Sequence, residues 1–375
     1  MLISFTVDNW MSFCRSATYS MVATKERQHG DRLARVAKYP LRVLPVAAVY
    51  GGNASGKTSL FKALNFAKNL VVKGTQPEGL IAVEPFRLDP EAADRPCRFG
   101  FQILVEDTIY DLSFAVTRMA VVEEKLVEVL GTSERVLYHR IGDKPKFCRL
   151  LEKDDGLRFA FKGTRDNQLF LTNTVHQKIP NFKHIYDWFR HNLVLVAPDT
   201  RFGPLEMFID EENPLHTTYN NLLAQLDTGI ASLGGEDVEV DRLGLPEALK
   251  SRLAEEVPEN ATVTLRRDPE NERIVMTRKG GELRARRLVA RHENSQGELV
   301  RFDFRHESDG TQRAIDLVPG FLDLMSAGSR RAYVIDEIDR SLHTLLIRKL
   351  IEAYLDCCGP DSRTQLLFTT HDVLL

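Results

Sequence analysis

Cysteine is scarce in this sequence, with five residues in 375: Cys14, Cys97, Cys148, Cys357 and Cys358. None forms a CxxC pair or stands beside histidines at metal-ligand spacing. An odd, scattered set fits a reducing cytosol better than a disulfide framework. Long apolar runs are lacking as well, and none approaches the ~18 residues that would span a bilayer. The opening MLISFTVDNWMSF has no basic segment followed by an apolar run, so it does not read as a signal peptide. There is no excess of one charge: 50 Lys and Arg face 53 Asp and Glu, for a net charge of −3. Whole-chain charge therefore gives no pull toward nucleic acid or membrane and leaves that role to local patches. Internal repeats and low-complexity tracts are missing too. These absences predict a cytoplasmic chain with no membrane partner.

What is present is a hydrophobic content of 43%, ample for a packed core and more readily two lobes than one. Residues 2–7 alternate apolar and polar, which predicts a strand ending at Asp8-Asn9. Residues 43–50 (VLPVAAVY) form a short apolar run, predicting a strand buried on both faces as in a parallel sheet. A glycine loop comes next at 51–56, and then residues 58–72 carry apolar positions at helical spacing. Residues 97–116 predict an antiparallel pair turning at Glu106-Asp107, and 121–129 and 135–140 continue the β pattern. Helices are predicted over 181–190, 222–233 and 247–256, the last with Pro246 at its start, and a strand over 192–196. Strands are predicted over 262–277 and 283–292, joined at Gly280-Gly281. Helix then alternates with buried strand: helix 310–325, strand 332–335, helix 342–356, strand 365–368. The architecture expected is α/β at both ends with a mixed middle. It divides into an N-terminal lobe 1–130, an inserted arm 131–295 and a C-terminal lobe 296–375.

Gly51-Gly52-Asn53-Ala54-Ser55-Gly56-Lys57-Thr58 matches GxxxxGK[ST] in full, between a predicted strand and a predicted helix. Its glycines let backbone N–H groups wrap phosphate oxygens, and the helix that continues through Ser59 turns its positive end to the same anion. Lys57 is the candidate for neutralising the β/γ-phosphates of ATP, and Thr58 for a hydroxyl on Mg²⁺. In RAYVIDEID, an apolar strand delivers Asp336 and Glu337 to its C-terminal end. Asp336 is the candidate metal ligand, and Glu337 the candidate base for an attacking water. Such adjacent acids are often only solvated surface, but the phosphate loop upstream gives them a partner. His371 ends the strand FTT and is a candidate sensor of the γ-phosphate. Ser308-Asp309-Gly310-Thr311 opens a helix; it reads either as an ordinary N-cap or as a second anion site.

The order phosphate loop, S-x-G-T, hydrophobic-DE, S-L-H and TTHD resembles ABC-type ATPases of the SMC and OLD-like branch. It resembles above all the bacterial AAA-type ATP-binding proteins called RloA or AbiLi-like. The likeness rests on LISFTVDNWMSF, VYGGNASGKTSL, ESDGTQR, AYVIDEIDRSLH and LLFTTHD, over about 1–116 and 290–375. It implies a P-loop NTPase of ABC-ATPase type with an inserted mixed arm. It also implies a head-to-tail dimer, or a higher oligomer, sandwiching two ATPs. Ser308 and Gly310 would then touch the nucleotide held by the partner's loop, and Asp339, Ser341 and Leu342 would cross the interface. The signature here is SDGTQ rather than LSGGQ, and Gln102 is a weak stand-in for a Q-loop glutamine. The resembling proteins continue beyond the histidine, so the resemblance implies a C-terminal lobe truncated at Leu375, with no length left for the Toprim nuclease of the OLD relatives.

Arg278, Lys279, Arg284, Arg286, Arg287 and Arg291 cluster about the predicted hairpin. They read as a solvated face balanced by Glu282, Glu293 and Glu298, or as a contact for phosphate backbones. Trp188 and Phe189 read as core at helical spacing or as a partner surface, and residues 210–212 as an acidic loop. Three functions are kept. One is an ATP-hydrolysing switch controlling a separately encoded effector, a nuclease, in anti-phage defence. The second is a DNA-engaging ATPase of SMC or repair type, against which stand the lack of long heptads and of a CxxC hook. The third is an assembly scaffold with little turnover.

Overall fold

A computed structural model describes residues 1–25, 28–149, 151–200, 214–226, 228–259, 261–267 and 272–375. The acidic stretch 210–212 lies outside them. The chain forms two compact units. The first comprises Met1–Pro198, Leu324–Ile338 and Tyr354–Val373; the second comprises Asp199–Asp323, Asp339–Ala353 and Leu374–Leu375.

In chain order the first unit carries β1 (Leu2–Asp8), β2 (Ala17–Ser20), β3 (Ala34–Arg35), β4 (Arg42–Val43) and β5 (Val46–Tyr50). Helix α1 (Lys57–Val72) comes next, then β6 (Cys97–Val105), β7 (Thr108–Val116), β8 (Val121–Val129), β9 (Glu134–Ile141) and β10 (Lys144–Phe147). Three short helices, α2 (Asp155–Lys162), α3 (Phe170–His176) and α4 (Lys183–Asp187), lead to β11 (Leu193–Val196). Later segments add β17 (Ala332–Ile335) and β18 (Gln365–Thr370). Two main sheets result. One is antiparallel, in the order β10-β9-β8-β7-β6-β1-β2; the other is parallel, in the order β11-β17-β18-β5. The β6–β7 hairpin turns at Glu106 and Asp107, both at positive φ, as the sequence predicts.

Helix α1 buries Phe61, Leu64 and Leu70. Its Phe66 ring meets Trp10 at 4.8 Å and Phe99 of β6 at 5.1 Å, which seats the helix on the antiparallel sheet. Phe189 lies 4.9 Å from Phe101, and Trp188 and Phe189 are both buried. The two sheets are joined by one buried amide. Gln365 Nε2 donates to Leu2 O at 2.9 Å, and Leu2 N donates back to Gln365 Oε1 at 2.6 Å. Glu124, fully buried, accepts from the Phe170 and Leu171 amides and from the Tyr138 hydroxyl, so a carboxylate caps α3. Burial pushes its carboxyl up, and those donors together with Arg140 oppose the shift.

The second unit carries α5 (Pro214–Ala224), β12 (Ile230–Val238), α6 (Glu247–Glu256), β13 (Thr262–Arg267), β14 (Glu272–Lys279), β15 (Glu282–Glu293) and β16 (Leu299–Asp303). The sheet runs β12-β15-β14-β13, with β16 also on β15. Helices α7 (Asp309–Met325) and α8 (Thr344–Asp356) begin in this unit.

Three readings are corrected. The helix expected over 222–233 ends at Ala224, and a strand occupies Ile230–Val238. Gly229 at φ 73° breaks the helical run, and the strand's pairing with β15 outweighs local propensity. The long strand expected over 262–277 is the antiparallel pair β13–β14; the sequence between them, DPEN, is rich in turn formers. The strand expected over 43–50 starts only at Val46, after Pro45, and is an edge strand with Tyr50 58% exposed rather than buried on both faces. Strands β9 and β10 extend the antiparallel sheet, and β16 pairs with β15.

Candidate nucleotide-binding site

Parallel strands end on the same sheet edge, so the residues just beyond each strand are gathered there. Tyr50 of β5 stands opposite Thr370 of β18, and Ile335 of β17 opposite Phe368. The next residues along each strand are therefore neighbours: the glycine loop after β5, Asp336 after β17 and His371 after β18. Residues from three separate stretches of the chain meet by topology alone.

The loop's glycines are not equally constrained, and a Cβ on Gly52 would meet nothing within 4 Å. A Cβ on Gly51 would stand 2.6 Å from Ser55 Oγ, and Gly56 holds φ +96° where α1 begins. Ala54 also takes a positive φ of 60°. Gly52, Asn53, Ala54, Ser55 and Thr58 are exposed. The first turn of α1 has no acidic residue, and Gly56 supplies no side-chain cap, so the helix's positive end faces the loop uncompensated. Lys57, 7% exposed, donates to Gly51 O at 2.6 Å and Gly52 O at 2.9 Å. Its Nζ also lies 3.2 Å from His371 Nδ1. An ammonium only donates, so Nδ1 accepts and the ring proton sits on Nε2, 4.0 Å from Glu337 Oε1. Ser59 bonds Ser12 through the two hydroxyls at 2.5 Å, and its carbonyl accepts from Trp10 Nε1 at 3.3 Å. The β1–β2 connection thus braces the first turn of α1.

Asp336 is 1% exposed. Its amide donates to Val196 O at 2.9 Å, and its Oδ1 accepts from Thr369 Oγ1 at 2.6 Å. Its Oδ2 is buried with no hydrogen-bond partner among the described residues. A buried carboxylate oxygen without a partner is costly, and a cation is its natural complement. Among the described residues no group of three or more His, Cys, Asp or Glu could hold a metal by itself. The donor set fits a hydrated Mg²⁺, which Asp336 and Thr58 would hold, better than a protein-caged ion. Glu337 stands at φ 49° with its amide bonded to Thr369 Oγ1 at 2.8 Å.

In the second unit, Ser308 caps α7. Thr311 N donates to Ser308 Oγ at 3.0 Å, and the two hydroxyls are 2.8 Å apart. Gly310 lies under the backbone of Ser341, where an added Cβ would stand 2.6 Å from the Ser341 carbonyl. The glycine is thus required for the close approach of the segment that holds Asp339 and Ser341. Arg273 of β14 forks onto Asp316 of α7 at 2.6 and 3.0 Å and pins the helix to the sheet.

The family model described as AAA domain, putative AbiEii toxin, Type IV TA system matches residues 46–375. The chain belongs to this AAA family. No curated protein matches it. Among solved structures, an SMC head domain from Thermotoga maritima is 14% identical, with 100% of this chain and 90% of that one covered and a TM-score of 0.36. An SmcHead bound to the C-winged helix domain of ScpA is 11% identical over the same shares, at 0.40. At these scores the assignment of a P-loop fold stands on strand order and loop geometry rather than on superposition.

In the AAA chain's arginine hairpin, ion pairs engage Arg286 and Arg278, the latter 3.8 Å from Glu259. Arg286 bonds Asp237 at 2.9 Å, Arg301 pairs with Glu236, and Arg278 donates to Val257 O at 3.2 Å. Arg287 and Arg291 are engaged as well. Gln102 sits mid-strand in β6, opposite Ser4 and Asp111. The residue that sequence reasoning missed in this AAA site is Thr369. Its signal was a hydroxyl in a strand buried throughout. No helix among the described residues is long and apolar enough to cross a membrane.

Proposed function

We propose that this AAA protein is an ATP-hydrolysing switch. Two copies close head to tail around two nucleotides and open on hydrolysis, controlling a separately encoded nuclease effector in bacterial anti-phage defence. The observation that carries the catalytic reading is the meeting of Lys57, Asp336, Glu337 and His371 at one sheet edge. Loop amides and Lys57 hold the phosphates. Glu337 takes a proton from water, the water oxygen bonds the γ-phosphorus, and the bond to the bridging oxygen of ADP breaks. His371 orients the γ-phosphate and Glu337. Asp336 and Thr58 would hold Mg²⁺, which would supply charge neutralisation at the phosphates. The partner copy contributes Ser308 and Gly310 to the γ-phosphate and Asp339 to the interface. Effector control is supported by the sequence resemblance and by the family's description as part of a toxin–antitoxin system. The DNA-engaging alternative rests on the arginine hairpin, in which Arg286 is ion-paired with Asp237.

The test is binding of a fluorescent ATP analogue, with phosphate release measured in parallel. Lys57→Ala is expected to weaken binding about tenfold, the scale of one charge-assisted contact. Equal affinity in the variant would remove the loop from nucleotide binding. Wild-type binding without phosphate release would favour the scaffold reading. The purified chain is expected to leave DNA and RNA intact; cleavage would place the nuclease in this chain rather than in a partner.

A further inference from the structure

We propose that Thr369 is the positioning residue of the hydrolytic site, setting the orientation of both acids through one hydroxyl. This rests on the ATPase reading above. Strand β18 is buried at every position, QLLFTT, yet places a polar hydroxyl at Thr369, which is 3% exposed. That hydroxyl has one proton and gives it to Asp336 Oδ1 at 2.6 Å, since a carboxylate only accepts. Its lone pair then receives the Glu337 amide at 2.8 Å. The Thr369 carbonyl takes the next amide, Ile338 N, at 3.1 Å. Three successive residues after β17 are thereby tied to one residue of the neighbouring strand.

Each tie has a chemical consequence. With Oδ1 occupied, Asp336 keeps one buried oxygen, Oδ2, for a cation, and its carboxylate plane is set. The bond to the Glu337 amide holds that residue at φ 49°, a conformation non-glycine residues rarely adopt. At this backbone angle the Glu337 carboxylate reaches to 4.0 Å from His371 Nε2. Valine has the same shape as threonine but no hydroxyl, so it would orphan Asp336 Oδ1 and the Glu337 amide while keeping the packing.

The test uses the full chain as wild type, Thr369→Val and Thr369→Ser. It reads affinity for an ATP analogue in EDTA and across a Mg²⁺ titration, and separately kcat and KM for phosphate release. Thr369→Val is expected to bind nucleotide as wild type in EDTA and to need about tenfold more Mg²⁺ for half-effect, as loss of an outer-shell partner predicts. Its kcat is expected to fall about tenfold or more at little cost in KM. Thr369→Ser, which keeps the hydroxyl, should track wild type in both. An unchanged Mg²⁺ requirement in Thr369→Val would overturn the proposal, as would a Thr369→Ser variant equally impaired. If wild type binds nucleotide but does not turn over, the ATPase reading fails while the Mg²⁺ titration still decides the role of Thr369. Should Thr369→Val not fold, Thr369→Cys, of similar volume but a weak hydrogen-bonder, takes its place with the same expected direction.

Discussion

Glu337→Gln is expected to lower phosphate release by about 10²–10⁴-fold, the usual contribution of a positioned general base, and to leave ATP binding intact. Glutamine keeps the size of the side chain and the amide bond to Thr369 but cannot accept the water's proton. Under the proposed sandwich dimer, ATP is then expected to persist between two copies. Light scattering with ATP and Mg²⁺ should report a doubled mass, falling back without nucleotide. Adding Ser308→Arg should abolish the doubling, because in the proposed dimer a large side chain would stand between the α7 cap and the partner's phosphate. That substitution removes a hydrogen-bonded N-cap, so its own stability is measured alongside. Retained turnover in Glu337→Gln would remove the base assignment. A mass unmoved by ATP, in a variant that binds it, would overturn the sandwich dimer.

Asp316→Ala is expected to cost about 3–5 kcal/mol, the range for stranding one partner of a buried pair. Arg273 and Asp316 side chains are each 4% exposed, bonded in a fork at 2.6 and 3.0 Å. The guanidinium also lies 4.2 Å from the Phe304 ring centroid. Removing the carboxylate leaves a cation in an apolar site that water does not reach. Tyr219, whose hydroxyl donates to Ile315 O at 3.1 Å, holds the same turn of α7 but cannot replace the charge. Urea unfolding monitored by circular dichroism measures the loss. The double variant Arg273→Leu, Asp316→Leu should recover most of it, since no buried charge is left alone. A loss under about 1 kcal/mol would mean the pair behaves as a surface bridge and does not anchor α7.

Much of the molecule was legible locally. Alternation over 97–116 with Glu106-Asp107 between predicted a hairpin, and both turn residues take positive φ there. The apolar run 332–335 is a strand with those limits, and 247–256 is a helix with Pro246 at its N-terminus. These signals are carried by periodicity and by backbone chemistry within a few residues of one another. The helix expected over 222–233 failed because Ile230–Val238 becomes a strand through pairing with β15, which is distant in the chain. The edge position of β5 and the reach of the antiparallel sheet to β10 are likewise consequences of strand order.

By itself, then, the sequence determined a phosphate loop between strand and helix, an acid pair after an apolar strand and a histidine after another. Each needs only short-range order to be recognised. Tertiary structure alone decided that these pieces share one sheet edge, that Asp336 keeps one oxygen unpaired among the described residues, that Thr369 links both acids, and that Arg286 of the hairpin is ion-paired with Asp237. Those outcomes depend on which strands pair and which side chains are withdrawn from water. Contacts between distant residues settle both, and no local pattern in the chain encodes them.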